Sequence, residues 1–321
     1  MAVNRNNPDR WKADIAQSVD LYNAWFMEFA PTAFRETRLV TSKRVGRALK
    51  ETGNLTDISI GILEKHPEIL PILRMSTCPP IARDRLVGLA GVSRSLVENM
   101  EDSDNPRIPP RISRKRLERD LELVSNVIQK MVDPDIYVWL SRTKPATRAE
   151  VARAATIIAD RLCGAVSNPI IRNAQEKRQL QAIGEWLQSR SYPYVEGVKF
   201  NEMGVGTYSF RSNVPASISN DDESANVNIP VDAVIMPFSA TQGELPLLIE
   251  AKSAGDYANV NKRRKEEVQK MAQLKGTYGE DVRFGLFLCG YFDTGYLGYE
   301  AAEGIDWVWE HRIDDLALFG L

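Results

Sequence analysis

Along the first half of the chain, apolar positions recur at helical spacing. Leu21, Trp25 and Phe29 stand four residues apart, and Val45 and Leu49 repeat that interval. The prolines at Pro31, Pro67, Pro71, Pro79–Pro80 and Pro109–Pro110 predict turns that separate short helices. A longer helix is expected over Ser113–Met131. Another opens at Thr147, where Thr147 and Glu150 have the spacing of a capping box, and should run to about Cys163. Asn168-Pro169 predicts one more helix start, because proline suits a first turn, with its end near Arg190. The pattern then changes. Thr207–Arg211, Val227–Met236, Leu245–Lys252 and Val282–Cys289 read as strands, and a charged helix over Val260–Lys275 precedes the last of them. The order α-β-β-β-α-β predicts an α/β (α+β) fold with a mixed sheet flanked by helices. A helical domain over residues 1–165 would precede this α/β domain over residues 166–321.

Composition narrows the class without naming a function. Hydrophobic residues make up 43% and charged residues 26% of the 321 positions, as in ordinary globular proteins. The opening MAVNRNNPDRWKAD lacks the apolar core of a signal peptide, and no run approaches the roughly 20 apolar residues that span a bilayer. Cys78, Cys163 and Cys289 are too far apart to suggest a disulfide framework or zinc knuckle, so a cytoplasmic protein without membrane contact is expected. Only His66 and His311 exist, which leaves little for histidine-based nucleophilic catalysis, and no Gly-rich phosphate loop occurs.

A net charge of −2 argues against nonspecific coating of nucleic acid, yet the charge is uneven. Arg107, Arg111, Arg114, Lys115, Arg116 and Arg119 cluster, and Lys262, Arg263, Arg264 and Lys265 are consecutive. Runs of this kind are most often solvated helix faces. The segment Arg83–Met100, RDRLVGLAGVSRSLVENM, has a helix, glycine turn, helix rhythm. It reads either as a DNA-reading helix-turn-helix or as a plain packing unit. The aromatic residues Tyr291, Phe292, Tyr296, Tyr299, Trp307 and Trp309 read as C-terminal core, with stacking on bases the lesser alternative.

The chemistry concentrates where two apolar strands carry charge. LPLLIEAK ends with Glu250 and Lys252, which point to one face of a strand. The preceding NIPVDAVIMP holds a lone carboxylate, Asp232. Folding the chain in a hairpin about Ser239–Ala240 sets Asp232 opposite Leu248–Glu250. Two carboxylates suit Mg²⁺, which keeps several waters and takes one or two protein carboxylates plus a phosphate oxygen. The Ala251 carbonyl is a candidate third ligand, and Lys252 would orient water or stabilise developing negative charge. This is the PD-(D/E)xK arrangement of metal-dependent nucleases. The (D/E)-x-K tripeptide is expected about once by chance in a chain of this length, and Glu250-Ala251-Lys252 is its one occurrence. The plainer alternative is an ordinary Glu–Lys pair at a strand end.

Two further elements bear on that reading. Glu176 shares a helical stripe with Leu180, Ile183 and Leu187, so it either complements a helix dipole or faces the site as a fourth acid. Asn259, Lys262, Arg263, Lys265 and Lys270 follow the Glu–Lys strand directly and are candidates for contact with a phosphate backbone.

The segments MSTCPP, NPIIRNAQEKRQL, IPVDAVI, LPLLIEAKSAGD, NVNKRRKEE and FLCGYFDTGYLGYEAAEGIDWVWEHRIDDL resemble the XamI-type Type II restriction endonucleases, over nearly the whole chain. The resemblance implies Mg²⁺-dependent cleavage of double-stranded DNA within a short palindrome, GTCGAC being the sequence associated with the family. It also implies a cognate methyltransferase that protects host DNA. The motif residues carry over as Asp232, Glu250 and Lys252, with Glu176 as a first-helix acid by analogy. The superfamily's adjacent Pro-Asp is here Pro230-Val231-Asp232, with one residue inserted, which bears on the register of Asp232. A palindromic target implies a homodimer whose two-fold axis matches that of the DNA. A repair or junction-resolving nuclease would share every one of these site residues, and an inactive DNA-binding relative could retain the same fold.

Overall fold

The computed structural model describes residues 3–220, 223–241 and 243–321. Side chains at 218–220, 223–226, 259 and 261–264 lie outside that description. The chain divides into two compact units, one made of Met1–Ala30 with Ile171–Leu321 and the other of Pro31–Ile170.

Two long helices carry the chain from one unit to the other. Helix α1 (Pro8–Glu51) contains Pro31, and α7 (Arg148–Ser189) contains Pro169. Both prolines were expected to end or begin helices, and neither does. A proline inside a helix loses one backbone hydrogen bond and crowds the preceding turn. Here packing on both sides of each proline outweighs that cost, and the unit boundaries fall within a residue or two of them. The helix expected to end near Cys163 and the one expected to begin at Pro169 are therefore a single element. The domain break expected between residues 165 and 166 falls inside it, and residues 1–30 pack with the C-terminal part.

The helical unit holds α2 (Ile60–Lys65), α3 (Leu70–Met75), α4 (Arg83–Ala90), α5 (Arg94–Met100) and α6 (Arg114–Met131). Its aliphatic core gathers fully buried Leu63, Leu73, Leu86, Leu96, Leu121 and Ile128. The capping box at α7 is present: Glu150 Oε2 accepts from Thr147 N–H at 2.8 Å and Thr147 Oγ1 from Glu150 N–H at 3.3 Å.

In the other unit the described strands form one mixed sheet in the order β1 (Tyr208–Asn220), β2 (Glu223–Ile235), β3 (Leu247–Ala254), β4 (Arg283–Gly290) and β5 (Asp306–Trp309). β1–β2 and β2–β3 are antiparallel, whereas β3–β4 and β4–β5 are parallel. The parallel connections run through α8 (Tyr257–Tyr278) and α9 (Thr294–Ala302). The expected order α-β-β-β-α-β is found, extended by α9 and β5. On one face Ile249 and Phe287 pack with Ile183, Trp186 and Leu187 of α7; on the other Leu248 and Leu286 pack with Val260, Met271 and Leu274 of α8. Phe292, Tyr296, Trp307 and Trp309 are core residues, as the pattern suggested.

The N-terminal residues belong to this unit through specific bonds. Asn4 Nδ2 donates to Trp307 O at 2.8 Å, Trp11 lies 5.5 Å from Trp307 between ring centres, and Arg312 Nη1 donates to Asp14 Oδ1 at 2.8 Å. Gly290 N–H donates to the buried Ser18 hydroxyl at 2.8 Å. Gly290 has φ +103°, and an added Cβ would stand 2.1 Å from Ala254 O, so only glycine permits this approach of β4 to the end of β3. No helix among the described residues is long and apolar enough to cross a membrane.

Candidate active site

The site is built where β2 and β3 part. Their ladder pairs Ile235↔Leu247, Val234↔Leu248 and Ala233↔Ile249, and then stops. The same register brings Asp232 level with Glu250, at one end of the Leu248–Glu250 span expected from the hairpin. At that level Ala251 N–H donates to Asp232 Oδ2 at 2.7 Å. A side-chain carboxylate thus ties the two strands just past the last backbone pair. The β2 alternation also shifts here, because Ile229 and Val231 pack on the α8 side while Ala233 and Ile235 pack on the α7 side. β1 answers with Arg211, between the pairs Phe210↔Ala233 and Ser212↔Val231, in the left-handed region at φ +51°. That conformation is uncommon for a residue other than glycine.

Glu250 and Lys252 share the face of β3 that looks toward α8, by the two-residue alternation of a strand. Glu250 is only 7% exposed. Its Oε1 takes Lys252 Nζ at 3.2 Å and Lys270 Nζ at 2.8 Å, while Oε2 is buried without a hydrogen-bond partner among the described residues. Lys252 Nζ also stands 2.9 Å from Oε1 of Glu267, which is 1% exposed on α8. Lys270, expected near a phosphate backbone, instead donates to Glu250 and, at 3.0 Å, to Pro230 O.

Electrostatics follow from this crowding. Burial, and next the charge of Glu250, push the Asp232 carboxyl up to about 6, against the pull of the Ala251 N–H. Burial alone would lower Lys252, but Glu250 and Glu267 outweigh it, so the ammonium titrates above its ordinary value. Lys252 is thus held as a cation and is suited to stabilising negative charge rather than to accepting a proton.

The remaining expected residues are placed less centrally. Glu176 is 37% exposed, and its Oε1 lies 3.0 Å from Arg211 Nη2. It sits in the middle of α7 rather than near a helix start, at the edge of the inward stripe, although its charge contributes to the upward shift at Asp232. Lys265 is exposed on α8, whereas the side chains of Asn259, Lys262 and Arg263 lie outside the described residues. Ala251 engages Asp232 through its N–H.

Two kinds of residue escaped the pattern. Glu267 falls in line with Val260, Met271 and Leu274, the buried stripe of α8, so its inward position was readable from spacing. Gln179 of α7 is buried; it donates to Phe287 O at 3.2 Å and accepts from Ser253 Oγ at 3.0 Å. It thereby clamps the end of β3 from the opposite face of the sheet. A cavity of about 240 Å³ adjoins Lys252 and Glu267, with Arg172, Gln175, Ser253 and Tyr296 among its walls.

Among the described residues, no three His, Cys, Asp or Glu side chains are gathered as a metal cluster. A magnesium-type site does not require three, since one or two carboxylates suffice when water and a phosphate oxygen complete the shell. Glu250 Oε2, without a hydrogen-bond partner among the described residues, and the Asp232 carboxyl, raised by burial and by Glu250, have the chemistry that a two-carboxylate cation site requires.

Comparison with known proteins places the chain. The sequence profile described as XamI restriction endonuclease matches residues 53–309. The chain is 50% identical over 321 residues to the Type II restriction enzyme SalI of Streptomyces albus G, covering 99% of both chains. A solved structure, protein VC1899 from Vibrio cholerae, aligns over 87% of this chain and 55% of its own at 11% identity. Its TM-score of 0.27 is too low to carry an argument about the fold. By profile and by full-length identity alike, this chain belongs to the XamI restriction endonuclease family.

Proposed function

We propose that Asp232, Glu250 and Lys252 form the hydrolytic centre of this restriction endonuclease, on a PD-(D/E)xK core. The chain is a Type II site-specific deoxyribonuclease, which hydrolyses phosphodiester bonds in double-stranded DNA. The observation that carries the site is the gathering of carboxylates where β2 and β3 part: among the described residues Glu250 and Glu267 pair with Lys252 and Lys270, while Asp232 accepts from the Ala251 N–H. A divalent cation is the usual cofactor of such enzymes, and Mg²⁺ is the ion we assign. Asp232 and Glu250 would hold it, with the Ala251 carbonyl as a further ligand. Bound there, the ion would supply Lewis acidity toward the scissile phosphodiester and toward a water.

The protein's own groups do the rest. Lys252, kept cationic by Glu250 and Glu267, stabilises the negative charge that develops on the phosphate. Glu267 and Gln179 position the strand end from opposite faces of the sheet. Glu176 stands beside the site as an accessory acid. Asn259, Lys262, Arg263 and Lys265 on α8 would hold the DNA backbone, where contacts position the duplex without reading it. The target is a short palindrome, with GTCGAC the first sequence to test. The working form is a homodimer in the cytoplasm, and a cognate methyltransferase protects host DNA.

Plasmid digestion with and without Mg²⁺ tests this reading. Discrete fragments whose ends map to one palindrome are expected, and they should vanish with EDTA, with Glu250→Ala or with Lys252→Ala. Undiminished cutting by either variant would overturn the assignment of the centre. A smear or structure-dependent nicking would overturn the site-specific reading.

A further inference from the structure

The catalytic centre cuts phosphodiesters but contains nothing that tells one base from another. The unit Pro31–Ile170, by contrast, contains a motif that the hydrolytic reading leaves unused. α4 runs Arg83–Ala90, Gly91 turns the chain at φ 64° and ψ 31°, and Ser93 caps α5, its side chain accepting from Leu96 N–H. An added Cβ at Gly91 would meet nothing within 4 Å. Glycine is therefore required there by backbone conformation rather than by space. Leu86, Ala90, Val92, Leu96, Val97 and Met100 are all buried, so one continuous apolar seam runs through both helices and the turn. α4 packs on α6, which backs the pair as a third helix.

The opposite face of α5 is polar and uncommitted to the core. Arg94 and Ser95 are exposed, and Glu98 and Asn99 are half-exposed. Their hydrogen bonds run mainly among themselves: Arg94 Nε to Glu98 Oε1 at 2.8 Å, and Asn99 Nδ2 to Ser95 O at 2.8 Å. Exposed pairs of this kind are worth little and exchange readily for other partners. Arg83 and Arg85 on α4 are exposed and form no ion pair among the described residues.

We infer that α4 and α5 form a DNA-reading helix-turn-helix, with the outer face of α5 in the major groove of the substrate and Arg83 and Arg85 on its phosphates. The side-chain chemistry matches what the groove displays. Arginine pairs with guanine O6 and N7, asparagine with adenine N6 and N7, and a carboxylate accepts from cytosine N4. In motifs of this kind the second helix meets base edges while the first crosses the backbone. The packing-unit alternative accounts for the buried seam. It does not call for an outer face made wholly of side chains that read bases, flanked by two unpaired arginines. The inference rests on the chain being a DNA endonuclease and concerns a surface separate from the hydrolytic centre.

The test uses the full chain in Ca²⁺, with gel-shift titrations on a duplex carrying the mapped cleavage site and on a random duplex. Cleavage in Mg²⁺ is then measured at the cognate site and at every single-base variant of it. Arg94→Ala and Asn99→Ala should each weaken cognate binding about ten- to a hundredfold and relax discrimination at one position of the half-site. Random-duplex binding should stay within about twofold. Arg94→Lys keeps the charge but loses the planar fork, and should relax specificity equally. Arg83→Ala and Arg85→Ala should weaken cognate and random binding alike and reduce the salt slope by about one. Equal melting temperatures guard against a folding artefact. If variants at Arg94, Ser95, Glu98 and Asn99 all match the parent at cognate and near-cognate sites, the inference is wrong, whatever becomes of the hydrolytic centre. Glu250→Ala separates the two, since it should abolish cutting while cognate binding persists.

Discussion

In the helical unit the two buried aspartates each meet arginine. Arg119 Nη2 lies 2.8 Å from Asp120 Oδ1, and Arg161 Nη2 lies 3.1 Å from Asp133 Oδ2. In the α/β unit, among the described residues, three carboxylates gather at the end of β3 beside two lysines: Glu250 and Glu267 pair with Lys252 and Lys270, and Asp232 has the Ala251 N–H. Removing ions from water costs several kcal/mol each unless partners compensate. A buried acid matched by one arginine, as Asp133 is, or by two, as Asp120 is by Arg116 and Arg119, is therefore intelligible as architecture. Carboxylates in excess of cations are destabilising in the isolated chain, and the proposed hydrolytic centre gives them a cation to hold.

The largest expected contrast follows from exchanging one acid in each unit. Glu250→Gln should lower the cleavage rate by on the order of 10²–10³-fold or more, the scale seen when one electrostatic contributor to a transition state is removed. Its unfolding midpoint in EDTA should hardly move. Asp133→Ala should do the reverse. It strips Arg161 of its partner and Asp135 N–H of its acceptor, costing about 3 kcal/mol of stability. Cleavage by the folded fraction should be unchanged. Urea titrations beside initial cleavage rates distinguish the two, and a large stability loss in Glu250→Gln would erase the contrast.

Next in size is Glu267→Gln. The amide keeps an oxygen for Lys252 but removes the charge that holds the ammonium in place. Supporting groups of this type typically contribute about 10–100-fold to activity or metal affinity. The effect should fall on kcat and on the Mg²⁺ concentration required, while KM for DNA is little changed. An unaltered Mg²⁺ titration and rate would show Glu267 to be packing alone.

The surplus charge should also be visible as a pH dependence of stability. Asp232 has its carboxyl raised to about 6 from an ordinary 3.8, so the folded protein holds this proton more tightly than the unfolded chain does. The associated stability is fully present below about 3.8 and is lost as pH rises through about 6. Without divalent cation, Asp232→Asn should therefore be more stable than the parent at pH 8, by on the order of 2 kcal/mol. The difference should close near pH 4. Asparagine retains an oxygen for the Ala251 N–H, so the strand tie survives. Chemical denaturation in EDTA at both pH values checks the sign, and a parent that is the more stable at pH 8 refutes it.

Much of this was legible because it is local. Alternation in LPLLIEAK and the loop before it set Asp232 opposite the span Leu248–Glu250, and the structure puts it level with Glu250. The rhythm of Arg83–Met100 foretold a helix pair, since a glycine at positive φ and a seam of apolar positions are short-range signals. What escaped is non-local or polar. Nothing near Asn4 indicates that its amide will meet Trp307 O, so the membership of residues 1–30 in the α/β unit was hidden. Pro31 and Pro169 were weighed by propensity, which tertiary packing overrode. Glu267 and Gln179 occupy core positions that an apolar count passes over, and on α7 Gln179 is a buried polar residue while Glu176 is at the edge of the inward stripe.

The smallest effect tests whether the helical unit can be weakened without touching the chemistry. Thr147 caps the start of α7, where it exchanges bonds with Glu150, and Arg142 together with the Thr147 N–H holds the Glu150 carboxyl down at about 2. Loss of such a cap costs about 1 kcal/mol. Thr147→Ala should lower the unfolding free energy by that amount at pH 7, read from a denaturant titration. Because the Glu150 carboxyl lies below its unfolded value, the contribution it shares with the cap is present above pH 4.5 and fades as pH falls toward about 2. Cleavage at 25 °C should match the parent at every Mg²⁺ concentration, because nothing at Asp232, Glu250 or Lys252 depends on this cap. A Mg²⁺ titration that shifts with Thr147→Ala would mean that the start of α7 is energetically coupled to Asp232 and Glu250. The division between a structural and a chemical use of buried acids would then fail at its simplest point.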